Sequence, residues 1–474
     1  MKRSLAAIKR RKEQERTNQR ILGLALPNIV TNITIPLLGI VDMAIVGHLS
    51  AAHIGAITIG TSIFNLIYWN FGFLRMGTSG FTSQAYGAQR FDEVVTILLR
   101  ASLLAVAIAL LLIACQWPIA QVAKAIFSGS SHVMQLAITY FFIRIWAAPA
   151  TLGLYVIKGW FIGMQNAKLP MWIAIFINLV NIGCSLFLVT VLHWDIAGVA
   201  IGTVLAQYSG LILALLMLRL RYGTLLRDYW HTIAAQRKHS ILRTLTGEVM
   251  QIDALRKFFQ VNSDIFLRTV CLATVFSFIT AISGRISDEI LAVDALLLQF
   301  FTVFSYFMDG FAYAGESLVG YHIGARDSYH LRQSVRIIML WGVLLTLAFS
   351  VAYAIGATYF LSIFSKDPEI IAATHPYLFW VLVIPVCGFS AFLLDGIFVG
   401  ATASRTMLLS MLVATAAFFL CYFGGMKVLQ PQDDVYRWNN LLWFSFMIYL
   451  ALRGIMQALF LRKHVYGKIS TPNR

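Results

Sequence analysis

ILGLALPNIVTNITIPLLGIVDMAIVG, residues 21–47, carries a single charged side chain, Asp42. About 20 consecutive apolar residues cross the hydrocarbon core of a bilayer as a helix, so this stretch spans with length to spare. Working outward, eleven more apolar windows follow near 54–84, 94–116, 135–162, 170–192, 196–219, 258–283, 290–315, 334–356, 371–398, 405–424 and 439–461. A membrane β-barrel would show alternating segments of about ten residues, and none is present. The reading is an all-α integral membrane protein of about twelve helices. The chain of 474 residues is 59% hydrophobic and 12% charged, against about 25% charged for soluble domains. That balance excludes disordered and disulfide-rich secreted classes and argues against a cytosolic enzyme. The five cysteines (Cys115, Cys184, Cys271, Cys387, Cys421) lie in apolar runs without CxxC spacing and read as small buried hydrophobes.

The formal charge of +16 would suit nucleic acid until its placement is read. The tail 1–20 carries Lys2, Arg3, Lys9, Arg10, Arg11, Lys12, Arg16 and Arg20. The connection 220–257 carries Arg221, Arg227, Arg237, Lys238, Arg243, Arg256 and Lys257, and the tail 462–474 carries Arg462, Lys463, Lys468 and Arg474. Alternate loops add Arg90, Lys168, Arg326, Arg332 and Arg405, while the opposite loops hold only Lys124, Arg285, Lys366, Lys427 and Arg437. Basic residues mark the cytoplasmic face, so both termini are expected in the cytoplasm, in a bacterial inner membrane. No aromatic interleaving or binding motif accompanies the charges, and nucleic acid is not an expected partner. The first apolar stretch is too long for a signal peptide and no small-residue cleavage site follows it, so it is expected to be retained.

The connection 220–257 divides the windows six and six, giving an expected N-lobe at 21–219 and C-lobe at 258–461. Landmarks recur at an offset of 237: Gly87-Ala88 with Gly324-Ala325, Gly163 with Gly400, and Ser50 with Ser287. Pro149 and Pro385 recur within one residue of it. An even number of spans per copy leaves both copies in one orientation, the parallel-repeat arrangement of secondary transporters.

Polar residues inside spans identify the functional candidates, because an acid at mid-membrane costs about 2.5–3.5 kcal/mol on insertion scales. Asn28, Asn32, Gly39 and Asp42 share one face of the first span, and Pro27 and Pro36 free backbone carbonyls where that helix can bend. Asn178, Asn181 and Ser185 form a stripe on the fifth span, with Thr203 on the sixth a further candidate. As interhelical glue, Asn and Ser need no other role. Asp42 has no basic residue nearby on its own helix and reads as a group that takes up and releases a proton. In the second half, Asp264 and Arg268 are spaced i, i+4 and read as an internal ion pair. Asp309 and Glu316 share a face of the eighth span, with Glu316 either paired to Arg326 or solvated. Asp395 sits in the tenth span without an adjacent cation and reads equally as cavity-lining or structural. Asp294 reads as an interface residue.

Nucleotide-binding GxxxxGK[ST], metalloprotease HExxH and nucleophile-elbow GxSxG patterns are missing, so no enzyme activity, cofactor or metal centre is expected. Arg75, Arg144, Lys158, Arg268 and Arg453 are among the basic residues within spans, mostly near ends. A lipid-linked sugar flippase would be expected to use such residues for pyrophosphate. Of these, Arg268 alone lies deep in its span, where Asp264 could neutralise it.

Four separated segments resemble one family in the same order: LALPNIVTNITIPLLGIVDMAIVGHLS (24–50), FLRMGTSGFTSQAYGAQ (73–89), MDGFAYAGESLVGYHIGARD (308–327) and LLDGIFVGAT (393–402). The family is that of multidrug and toxic compound extrusion, in its DinF (DNA-damage-inducible protein F) branch. The resemblance implies two six-helix lobes around a cleft and export of organic cations or hydrophobic toxic compounds in exchange for protons or sodium ions. It places the family's first-span acid at Asp42, its proline at Pro27 and its fifth-span asparagines at Asn178 and Asn181, within NLVNIGCS (178–185). Many relatives carry an Asp where this chain has Ser185, and one carboxylate among amides suits a proton better than sodium. The acid used by the sodium-linked branch corresponds to Asp395. Each chain would hold a complete cleft and function as a monomer.

Overall fold

In a computed structural model the described residues are 2–47, 50–127, 130–235, 251–430 and 434–470. Among them no strand forms, and twelve helical segments are long and apolar enough to cross a membrane. Spans 1 to 6 are Lys12–Met43, Ala52–Gly87, Phe91–Ala114, Ser131–Gly163, Lys168–Val191 and Asp195–Thr232. Spans 7 to 12 are Ile252–Ile286, Asp288–Gly324, Ser328–Phe364, Pro368–Gly400, Ser404–Leu429 and Val435–Ile469. All twelve expected windows are present, most of them lengthened at one or both ends. A hydropathy window stops at the first charges, whereas a helix runs on until a cap or a Gly/Pro ends it. Span 1 belongs to a helix that begins at Lys2 and passes through both Pro27 and Pro36 to Gly47. One helix was not expected: Gln116–Ile126, between spans 3 and 4. Arg237, Lys238, Arg243 and Arg474 lie outside the described residues.

Large apolar side chains face outward over much of the surface, with Ile355 85% and Val428 81% exposed. Water would penalise such a surface; lipid does not.

The chain divides into two compact units, Val30–Asn262 and Met1–Ile29 with Ser263–Arg474, and the divisions fall inside spans 1 and 7. Within the first unit, span 4 packs on span 2 through glycines. A Cβ at Gly159 would overlap the Arg75 carbonyl oxygen, and one at Gly163 would come within 2.9 Å of the Ser79 carbonyl oxygen. Within the other unit, span 10 packs on span 8 in the same way, Gly396 against the Ala312 carbonyl and Gly400 against the Glu316 carbonyl. All four pairs obey the offset of 237. Small residues are the usual route to close helix contact in a bilayer, where apolar side chains gain nothing by leaving lipid.

The connecting turns repeat as faithfully. Ala88, Gln89 and Arg90 donate backbone bonds to Gln84, Tyr86 and Ala85, and Ala325, Arg326 and Asp327 donate to Tyr321, Ile323 and His322. Met164, Gln165 and Asn166, and Ala401, Thr402 and Ala403, form the same pattern after spans 4 and 10. Gln89, Gln165, Arg326 and Thr402 all adopt left-handed backbone, φ 57°, 58°, 55° and 49°. Ser50 and Ser287 both cap the following helix, accepting from the amides of His53 and Ile290.

Candidate functional site

Spans 1, 5 and 6 bring the first-half candidates together. Span 6 presents Gly198, Gly202 and Gly210 to span 5, and a Cβ at Gly202 would overlap the Ser185 hydroxyl. That closeness lets the Asn181 amide donate to Thr203 Oγ1 at 3.1 Å and approach Ser185 Oγ at 3.5 Å. Asp42 is buried beside this group, with the Asn181 and Thr203 side chains near its carboxylate. Oδ1 of Asp42 and Oδ1 of Asn181 are both enclosed without a hydrogen-bond partner. Asn32 is buried on the same helix as Asp42.

Two first-half candidates do something other than expected. Asn178 donates to the backbone carbonyl of Thr34 at 2.8 Å, tying span 5 to span 1 just before Pro36. Asn28 donates to Leu24 within its own helix at 2.8 Å. The sequence reading also missed Arg144 on span 4. Its guanidinium donates to Tyr140 OH at 2.7 Å, lies 4.7 Å from the centre of the Phe64 ring, and acts electrostatically on Asp42. Nothing in the spacing of residues 42 and 144 signals that relation.

The second half is arranged differently. Asp395 Oδ2 is held by both Arg268 and Arg453, and Oδ1 accepts from Gln457 at 2.6 Å. The expected Asp264–Arg268 pair does not form: Asp264 instead accepts from Ser404 at 2.7 Å. The i, i+4 rule is weaker than a second guanidinium-binding carboxylate in a dry interior. Asp395 therefore has adjacent cations, supplied by spans 7 and 12. Arg453 and Gln457 are themselves i, i+4, a signal the sequence did contain. Asp309 acts electrostatically on Arg453. Asp294, expected at an interface, is 2% exposed and accepts from Ser283 at 2.5 Å, Trp443 at 2.7 Å and Asn439 at 2.9 Å. Glu316 is 1% exposed, so the solvated alternative for it fails.

At the turn between spans 8 and 9, Asp327 caps the following helix, accepting from the His330 amide at 3.0 Å and the His330 ring at 2.6 Å. Partial burial opposes its ionisation, but these bonds outweigh it and hold the carboxyl below its ordinary range.

Among the described residues no cluster of three or more His, Cys, Asp or Glu could hold a metal ion.

The MatE family model matches residues 27–187 and again 265–423. The chain belongs to the MatE family. One MatE match lies before the connection 220–257 and the other after it. Escherichia coli (strain K12) DNA damage-inducible protein F is 34% identical over 93% of this chain and 91% of its own length. Multidrug and toxin extrusion protein 1 of Homo sapiens is 26% identical over 74% of this chain and 59% of its own. Among solved structures, the Vibrio cholerae MATE transporter VcmN in its bent form covers 96% of the chain and 99% of its own, with TM-score 0.79 at 15% identity. That likeness bears on the MatE fold alone. MatE proteins are membrane transporters, so this chain is a multi-pass membrane transporter.

Proposed function

We propose that the chain exports hydrophobic or cationic toxic compounds by exchange for protons, as a multidrug efflux transporter with both termini in the cytoplasm. The observation that carries this is the setting of Asp42: a buried carboxylate beside the neutral Asn181 and Thr203 side chains, with Arg144 acting on it electrostatically and no ion pair holding it among the described residues. Such an acid has two low-cost states, ionised with a cationic ligand beside it or neutral with a proton on it. Alternation between them couples the two cargoes, because one carboxylate cannot serve both at once. Pro27 and Pro36 are the points where span 1 would bend as the occupant changes. If one proton exchanges for one monovalent cation, the driving force is about 1.36 kcal/mol per pH unit. Asn181 and Thr203 orient the carboxylate, Ser185 supports Asn181, and Asn178 anchors the bend. Asp395 is excluded from this cycle, since two guanidiniums already neutralise it. The same pairing removes Arg268 and Arg453 from the basic residues that a flippase would offer to pyrophosphate.

A sodium reading rests on one feature, the two unpartnered oxygens of Asp42 and Asn181 close to the hydroxyls of Thr203 and Ser185. Efflux of a fluorescent organic cation from vesicles separates the two readings. Under a pH gradient without sodium, the wild type is expected to transport and Asp42→Asn to fall to the level of empty vesicles. Activity that needs sodium at zero pH gradient would favour the second reading. Retained pH-driven efflux in Asp42→Asn would defeat both.

A further inference from the structure

Span 12 ends in a charged foot that the proposed transport cycle does not use. Ile455 and Leu459 are exposed one turn apart, Leu459 by 71%, and the exposed Arg462 and Lys463 follow one turn later on the same side. The apolar run 439–461 is long enough to cross the hydrocarbon core, so these two cations stand at headgroup level. Span 11 shows the same order from its start: Arg405 is exposed, and Leu409, one turn on, is 53% exposed.

The two helices lie side by side, with the Tyr449 hydroxyl donating to Met411 Sδ at 2.9 Å. Their charged ends are tied together as well. After a π-type turn, Arg462–Tyr466, the chain stays on the protein: Val465 is wholly buried, and the Arg332 guanidinium lies 5.4 Å from the centre of the Tyr466 ring. The Lys468 ammonium donates to the Ala401 carbonyl and, at 3.1 Å, to Thr402 Oγ1. Thr402 is three residues before Arg405, so the foot of span 12 is held beside the foot of span 11. Asp264, the acid at this corner, accepts from Ser404 at 2.7 Å. Among the described residues the side chains of Arg405, Arg462 and Lys463 have neither a hydrogen bond nor an ion pair.

We propose that Arg462 and Lys463, flanked by Arg405, bind the headgroup of an anionic phospholipid whose acyl chains lie along Ile455, Leu459 and Leu409. A forked guanidinium beside an ammonium takes a phosphate, and an exposed aliphatic stripe directly below it takes the chain that the phosphate carries. A lipid with net negative charge suits three unpaired cations, and a zwitterionic one brings its own counter-charge. The repeat does not impose this arrangement. A shift of 237 carries Arg462 and Lys463 onto Leu225 and Leu226, which pack on Val95 and Tyr229. The site belongs to the second half alone.

The test titrates delipidated full-length protein in detergent with phosphatidylglycerol or phosphatidylcholine and counts bound lipid by native mass spectrometry. Wild type is expected to hold one phosphatidylglycerol more tightly than any phosphatidylcholine. At about fivefold per surface charge, Arg462→Gln with Lys463→Gln weakens that binding about 25-fold, and Arg405→Gln about fivefold. Lys168→Gln removes the counterpart of Arg405 in the first half, likewise exposed, and is expected to change nothing. Unfolding midpoints check each variant, and Arg405→Gln decides alone if the double variant does not fold. Equal affinity of wild type and the folded variants overturns the proposal, as does equal weakening by Lys168→Gln. Displacement of the lipid by millimolar inorganic phosphate also overturns it, because the acyl chains would then contribute nothing.

Discussion

The two halves of the chain share a backbone and differ in chemistry. Moving by 237 residues carries Gly159 and Gly163 onto Gly396 and Gly400, with the same close packing in each. The same shift carries Asp42 onto Ile279, Asp294 onto Ile57, and Lys158 onto Asp395. In the first half the deep acid lies beside neutral groups, with one cation, Arg144, acting on it electrostatically and no ion pair among the described residues. In the second it is clamped between Arg268 and Arg453, and a separate acid, Asp294, is satisfied by three neutral donors. Duplication has kept the positions where helices touch and released the positions that hold charge. One half has the acid proposed to change partners, and the other has acids whose partners are fixed.

The sharpest way to break this contrast is Asp42→Asn against Asp395→Asn in the same vesicle assay. The first is expected to abolish pH-driven efflux. The second is expected to act through stability, because it leaves two buried guanidiniums without their carboxylate, a loss of about 3–5 kcal/mol. Thermal unfolding in detergent reads it directly, and Asp42→Asn should show no comparable drop. An Asp395→Asn protein as stable as wild type would mean that the clamp is not structural.

The shared backbone predicts equal sensitivity where the chemistry differs. Gly159→Ala and Gly396→Ala each push a methyl group into a carbonyl across a helix pair, at about 1–3 kcal/mol. Gly356→Ala, with nothing within 4 Å of its Cβ, is expected to be neutral or slightly stabilising. Loss of stability at only one of the two repeat glycines would show that the packing is less symmetric than the turns.

The smallest expected effect concerns a cap that only one half has. Asp327 caps span 9 through its side chain, whereas its counterpart Arg90 gives span 3 none. Asp327→Ala is expected to cost about 1 kcal/mol and Arg90→Ala nothing through capping. Because the folded state holds the Asp327 carboxyl below its ordinary value of 3.8, its contribution is fully present above that pH. The contribution fades as pH falls through the lowered value. Acid titration of unfolding midpoints, wild type against Asp327→Asn, reads the difference.

Much of the fold was legible because it rests on patterns that are local. An apolar window of sufficient length has one stable solution in a bilayer, and turn residues such as Gly87-Ala88 and Gly324-Ala325 announce the repeat directly. Asp42, Asn181, Ser185 and Thr203 were legible as polar exceptions in apolar helices. What could not be read was which exception meets which. Arg268 had a carboxylate one turn away in Asp264 and chose another 127 residues distant. Asn178 looked like a partner for Asp42 and bonds a backbone carbonyl instead. Arg144 joins the site only through the packing of span 4. These choices are made by helix rotation and by where glycines let backbones approach, neither of which a single helix encodes.

The left-handed turns at Gln89, Gln165, Arg326 and Thr402 have a mechanical consequence. Each joins two long helices through three or four residues, three of whose amides are already committed to the end of the preceding helix. Such a joint has almost no torsional slack. Spans 2 and 3, 4 and 5, 8 and 9, and 10 and 11 are therefore coupled as stiff hairpins. In kinematic terms each half has fewer moving parts than helices, and motion during a transport cycle must come from bending within helices or from the remaining, looser connections.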